Sequence, residues 1–203
     1  MITVDKLIAS RVVLALVAAT SLAPIQNAVA QVAEADAITK AAMEKRREAE
    51  AILASAMGRI GSDRTDATAL IDAGRASLAL DNPQAALGFL TRAGQLRPND
   101  GSVAALTGAA MVQLERPSEA LELFANAARL GAPERMYLSD RGLAHDLLGR
   151  QDAAQRDYEA ALTQTNDAET VRRYALSLGI SGQVDRAIQV LTPQLRAQDR
   201  AAW

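Results

Sequence analysis

The sequence predicts an all-α protein, an α-solenoid of antiparallel helix pairs preceded by an N-terminal helix. Three observations predict it. Apolar residues make up 49% of the 203-residue chain but aromatics only 3%, so alanine and leucine, both strong helix formers, carry the apolar content. Only six prolines interrupt the chain, and runs of β-branched residues are few. Above all, small and large residues recur in register every 34 positions, the mark of a repeat architecture.

Taken in order, the first thirty residues read as a targeting segment. Lys6 and Arg11 give a cationic start, Val12 to Ala23 is apolar, and Pro24 breaks any helix. Ala28-Val29-Ala30 then has the small-x-small form of a signal-peptidase site. Residues 1–30 are therefore expected to be a signal peptide cleaved after Ala30, which makes the protein exported and places it in the periplasm. An uncleaved anchor is the alternative. Its apolar stretch is short for a bilayer span.

Residues 31–62 are rich in helix formers and have no Pro or Gly before Gly58, which predicts a long, partly exposed helix. Arg46 and Glu50 stand four apart, as an ion pair on that helix requires. "GSDRTD" from Gly61 to Asp66 then reads as a break followed by an N-cap.

From Asp66 onward the chain repeats itself. Gly74, Gly108 and Gly142 are each 34 residues apart, as are Ala86, Ala120 and Ala154, and again Ala93, Ala127 and Ala161. A large residue keeps the same step at Leu90, Phe124 and Tyr158. A more degenerate fourth copy follows one residue early, with Ala175, Gly182, Ala187 and Leu191. Each copy holds two short amphipathic segments separated by turn chemistry at "DNP", "ERPS" and "LGRQD". Helices of three or four turns are marginal alone, so stacking must stabilise them. Glycine inside a helix costs about 0.5–1 kcal/mol against alanine, so three at equivalent places call for close helix approach. Ala86 is expected to meet the region of Gly74, and Ala93 the next first helix. By the same register Ala154 should face inward and Ala161 outward.

Composition also excludes function classes. The 22 basic and 24 acidic residues give a net charge of −2, with no basic excess for nucleic acid. No cysteine is present, which excludes disulfides, thiol catalysis, cysteine-ligated zinc and a lipidated N-terminal cysteine. His145 is the only histidine and reads as a packing residue, in register with Ser77, Met111 and Leu178. Nothing resembles a phosphate-binding loop, and no cofactor or small-molecule substrate is evident. The expectation is a protein without catalysis.

The 34-residue helix–turn–helix unit with these ladders resembles the tetratricopeptide repeat (TPR) family, over about two-thirds of the chain. The resemblance rests on the glycines late in each first helix, on Ala-x3-large-x2-Ala in each second helix, and on closing prolines at Pro98 and Pro133. It implies a solenoid over 66–200, with copies at approximately 67–100, 101–134, 135–167 and 168–199. The fourth copy departs from the pattern with Gln194 where the last alanine belongs, and residues 201–203 would begin a further, truncated repeat, because Trp203 stands where an anchoring residue is due.

The resemblance also implies a concave groove lined by first helices. Its positions fall on Ile71, Arg75 and Leu78, on Ala105, Ala109 and Val112, on Ser139, Leu143 and Asp146, and on Arg172 and Leu176. This largely aliphatic set suits an amphipathic helix or extended peptide. The family's carboxylate-clamp positions hold Ile71, Arg75, Leu106, Met136 and Asp140, of which only Arg75 has suitable chemistry. The expected role is a protein–protein scaffold in the bacterial cell envelope, distantly similar to Tad-type pilus assembly TPR proteins, from whose lipoprotein form the missing cysteine departs. Two alternatives stay open, an arm of a larger envelope protein with a cell-wall-binding domain and an enzyme. The apolar C-terminal end also raises self-association.

Overall fold

The computed structural model describes the backbone of residues 39–201 and the side chains of residues 39–193. The expected signal peptide, residues 31–38 and Trp203 lie outside the described residues. The compact body spans Lys45–Ala197.

Helix α1 covers 39–62. Four pairs follow it: α2 (Ala67–Ala79) with α3 (Pro83–Leu96), α4 (Gly101–Gln113) with α5 (Pro117–Arg129), α6 (Leu138–Leu147) with α7 (Gln151–Gln164), and α8 (Ala168–Ile180) with α9 (Val184–Ala201). A 3-10 turn at Glu134–Met136 leads into α6. No strand occurs among the described residues. Contacts within each pair, and between one pair and the next, build an α-solenoid.

Sequence explains where each helix begins. Asp66, Asn82, Asp100 and Asp167 cap α2, α3, α4 and α8, each accepting from a backbone amide of the first turn. Pro83 and Pro117 open α3 and α5, where no amide donor is needed. The first helices end on one register position in the left-handed region: Asp81 (φ 56°), Glu115 (φ 57°), Gly149 (φ 70°) and Gly182 (φ 79°). Glycine adopts this conformation freely, while aspartate and glutamate do so under strain.

Helix α1 packs Ala49, Leu53, Ala56 and Ile60 inward, a run spaced for one helical face. Ala56 and Ile60 share a cluster with Ala69, Leu70, Ile71 and Ala73 of α2. The Arg59 guanidinium ties the two helices, donating to Asp66 at 3.0 and 3.1 Å and to Asp72 at 3.1 Å. The Arg46–Glu50 pair forms at 3.1 Å but is more than half exposed, so it contributes little.

Within each of the first three pairs, the large residue of the second helix sits on the glycine of the first. A Cβ on Gly74 would lie 2.6 Å from Leu90 Cγ, one on Gly108 2.5 Å from Phe124 Cε1, and one on Gly142 2.7 Å from Tyr158 Cε1. Ala86 shares its cluster with Leu78, one turn past Gly74 on the same first helix, as well as with Ala109 and Ala110 of the next pair, while the atoms nearest a Cβ on Gly74 are those of Leu90. The assignment of Ala154 changes: it shares its cluster with Tyr174 and Leu178 of the next pair. Ala161 instead lies with Tyr137, Leu138 and Ala144 of its own and the preceding segments. A second helix wedged between two first helices presents small residues to both of them.

This packing can be tested from both sides. Gly108→Leu overpacks the Phe124 contact and lowers stability by about 1–3 kcal/mol in chemical denaturation. Glu115→Gly relieves the left-handed strain and raises the denaturation midpoint, with a gain of up to about 1 kcal/mol. The same change at Gln113, two residues earlier and inside α4, should instead destabilise.

Candidate interaction surface

The first helices α2, α4, α6 and α8 present one face on which register can be followed from pair to pair. One position reads Arg75, Ala109, Leu143 and Leu176, and the next turn reads Ala79, Gln113, Leu147 and Ile180. Small or polar residues in the first two pairs thus give way to large aliphatic ones in the last two. At these positions the exposed large aliphatic residues belong to the last two pairs: Leu147 is 49% exposed, Leu176 66% and Ile180 64%. The outcome is a two-rung apolar ladder, Leu143 with Leu147 on α6 and Leu176 with Ile180 on α8.

Of the residues placed in the groove by resemblance, Ile71, Leu78, Ala105, Ala109 and Val112 are buried in the core clusters. They hold the face together from beneath. Leu143 is half-buried, while Arg75, Arg172 and Leu176 are exposed. Leu147 and Ile180 are not among the family's groove positions, although each lies one turn beyond a residue that is. Their i,i+4 spacing from Leu143 and Leu176 is the signal that finds them.

The polar groove positions are committed to contacts inside the array. Asp146 accepts from the Tyr158 hydroxyl at 3.0 Å and from Ser177 Oγ at 2.7 Å, linking α6, α7 and α8. Burial pushes its carboxyl above the ordinary value in spite of both hydroxyls. Ser139 receives the Thr170 hydroxyl at 2.9 Å and Arg173 at 3.2 Å, and Arg173 reaches Asp140 at 2.8 Å. Arg172 pairs with Glu169. Around α7 the chain continues in this vein, with Arg141 forked on Asp157 at 2.5 and 2.7 Å and stacked over Tyr137. Tyr174 donates to Glu159, and burial together with this bond pushes its hydroxyl up to about 12.

His145 lies 3.9 Å from Asp157, and its Nδ1 is buried without a hydrogen-bond partner. Burial lowers its pKa, with the Asp157 carboxylate opposing and nearby arginines adding to the effect. Among the described residues no group of three potential ligands is placed to hold a metal ion. No helix there is long and apolar enough to cross a membrane.

A second concavity lies between α1 and α2, with a volume of about 720 Å³. Ala49, Ile52, Ala56, Ala76 and Ala79 form its floor and walls, with Lys45, Glu48 and Arg75 at the rim. Arg75 is the one expected groove residue that it contains.

Four helix pairs, the first three at a 34-residue step and each locked by a large residue on a glycine, stacked with first helices on one face, define a TPR-like α-solenoid. Solved structures of proteins with this fold are similar to the chain. A thermophilic TPR protein from Thermus thermophilus, TTC0263, superposes with a TM-score of 0.64 at 21% identity, covering 76% of this chain and 90% of that one. MamA superposes with a TM-score of 0.58 at 17% identity, covering 79% of this chain and 96% of its own. MamA from Desulfovibrio magneticus RS-1 (residues 41-end) gives the same score and identity over 83% and 96%. No protein-family model and no curated protein matches the sequence.

The half-buried His145 has a sign in pH titration. Its folded pKa lies below the unfolded value, so the unfolded chain binds the extra proton first. Stability is therefore lost as the pH falls from about 6.5 toward the depressed folded value. As the sequence holds no other histidine, His145→Leu should flatten the stability profile in this window, measured by urea melts at stepped pH.

Proposed function

We propose that this chain is a non-catalytic scaffold that binds a protein partner on the exposed face of its first helices, through the ladder of Leu143, Leu147, Leu176 and Ile180. The ladder itself carries the reading. Large aliphatic side chains at i,i+4 on two neighbouring helices, one rung more than half exposed, form the complement of an apolar helix stripe. Contiguous exposed apolar surface of this kind marks an interaction site. Support also comes from the TPR-like fold, whose stacked helix pairs offer an extended concave surface.

The proposed partner is an amphipathic helix or extended peptide. Carboxylate-tail capture is not part of the proposal, because only Arg75 among the matching positions offers a cation. The leader-like residues 1–30 support export, so the proposed setting is the bacterial cell envelope, with secretion or pilus assembly as the process served. An arm of a larger envelope protein would use the same surface in the same way.

Crosslinking and pull-down from an envelope fraction test the proposal. A specific partner should be captured by the wild-type chain and lost with Leu143→Glu or Leu176→Glu, while helical circular dichroism is retained. Arg75→Glu, at the other end of the same register, should leave capture unchanged. Partners indifferent to both leucine changes would sink the ladder as the binding face.

A further inference from the structure

Each later first helix is tied to the one before it. Gln113 of α4 donates to the Leu78 carbonyl of α2 at 3.4 Å, and Ala110 shares a cluster with Leu78. On α8, Arg173 donates to Asp140 of α6 at 2.8 Å, and Ser177 to Asp146 at 2.7 Å. Asp72, Ala76 and Ala79 hold the same register positions on α2. There they line the concavity of about 720 Å³ whose other wall is α1. From Lys45 to Arg59 of α1 this groove runs for about 20 Å, roughly four helical turns. Its floor is small, at Ala49, Ala56, Ala76 and Ala79, and Ile52 is its large apolar residue, 42% exposed. Helices approach closely where the contact side chains are small.

The charges of the groove do not cancel. Arg59 is committed to Asp66 and to Asp72, the latter at 3.1 Å. Arg75 then comes only within 3.9 Å of Asp72, and its side chain is 57% exposed. Lys45 is exposed at the rim. Against Arg75 and Lys45 the lining offers one carboxylate outside the Arg59 cluster, that of Glu48. We propose that this groove seats a helix of a partner protein, with small apolar residues toward α1 and α2 and carboxylates toward Arg75 and Lys45. The carboxylates follow from the surplus of positive charge. The array already makes such a bond, since Arg173 on α8 meets a carboxylate of the first helix before it. The helix would lie beside α2 as α6 lies beside α8. This site shares no residue with the ladder of Leu143, Leu147, Leu176 and Ile180 and does not rest on it.

A stapled alanine–leucine helix with two glutamates beside its apolar stripe serves as the probe, and a twin peptide carries lysines in their place. In fluorescence anisotropy the full chain should bind the acidic peptide and not the twin. Arg75→Glu combined with Lys45→Glu should weaken the acidic peptide at least about tenfold and bring the twin into binding, with helical circular dichroism unchanged. Leu176→Glu should leave both results as they are. A partner held at the ladder is in turn indifferent to Arg75→Glu, so the two readings fail separately. The natural chain has no cysteine, so Ala79→Cys gives a single thiol in the groove. It should react with maleimide in the free chain and be protected by the acidic peptide. No binding of the acidic peptide, equal binding of the twin, or indifference to the Arg75 and Lys45 changes overturns the proposal. So does a thiol already protected in the free chain, which would signify a groove covered by the chain's own residues.

Discussion

The structure depends on one contact made three times, a large side chain pressed onto a helical glycine. Leu90, Phe124 and Tyr158 lie so close to Gly74, Gly108 and Gly142 that no Cβ fits between them. That approach sets the interaxial distance within each pair, and the pairs can then repeat with one geometry. Around it the neighbouring positions must also be small. Ala86, Ala93, Ala120, Ala127 and Ala154 are all fully buried. Helices of this length are marginal alone, so the loss in helix propensity at each glycine is offset by the packing it permits.

Although the joints within pairs are alike, the seams between pairs are not. The first two pairs meet through Leu78, Ala86, Leu90, Ala109 and Ala110, without a buried ion pair. The last two meet through Asp146 with Ser177, Ser139 with Thr170, Arg173 with Asp140, and Gln155 with Ser181. Tyr158 belongs to both systems. Its ring is the large residue on Gly142, and its hydroxyl donates to Asp146 at the polar seam. A satisfied polar network specifies orientation more narrowly than aliphatic packing does, because each donor must meet its acceptor. The orientation of α8 against α6 is thereby fixed, and with it the spacing of the two rungs of the ladder.

Much of this is legible in the sequence because it follows a period. The glycine, the paired alanines and the large residue between them can be aligned by counting, and the pair boundaries follow from cap and turn residues. What counting does not supply is direction. It places Ala154 inward and Ala161 outward, whereas Ala154 clusters with Tyr174 and Leu178 of the next pair and Ala161 with Tyr137 and Leu138; Ala93, as counted, lies with Val103 of the next first helix. Nor does it report exposure: Ile71 and Leu176 both come from the family's groove positions, yet one is buried and the other open. The polar seam leaves a fainter trace. Apart from Gln155 and Ser181, its partners stand 31 to 34 residues apart, near one repeat length, so complementary pairs at that separation are its available signal. The strain at Asp81 and Glu115 becomes visible only beside the glycines Gly149 and Gly182 in the same register.

Register also explains why the apolar surface gathers in the last two pairs. In the first two, the residues at the face are small or polar, and Ala105, Ala109 and Val112 are buried, leaving little apolar surface for a ligand to grip. In the last two, Leu143 is half-buried and Leu176 stays exposed, and hydrogen bonds between α6 and α8 add to the apolar packing of Ala154 and Tyr158 on Tyr174 and Leu178. The hydrogen bonds and the Tyr158–Tyr174 packing that orient the final pair thereby set where its exposed Leu176 and Ile180 stand relative to Leu143 and Leu147.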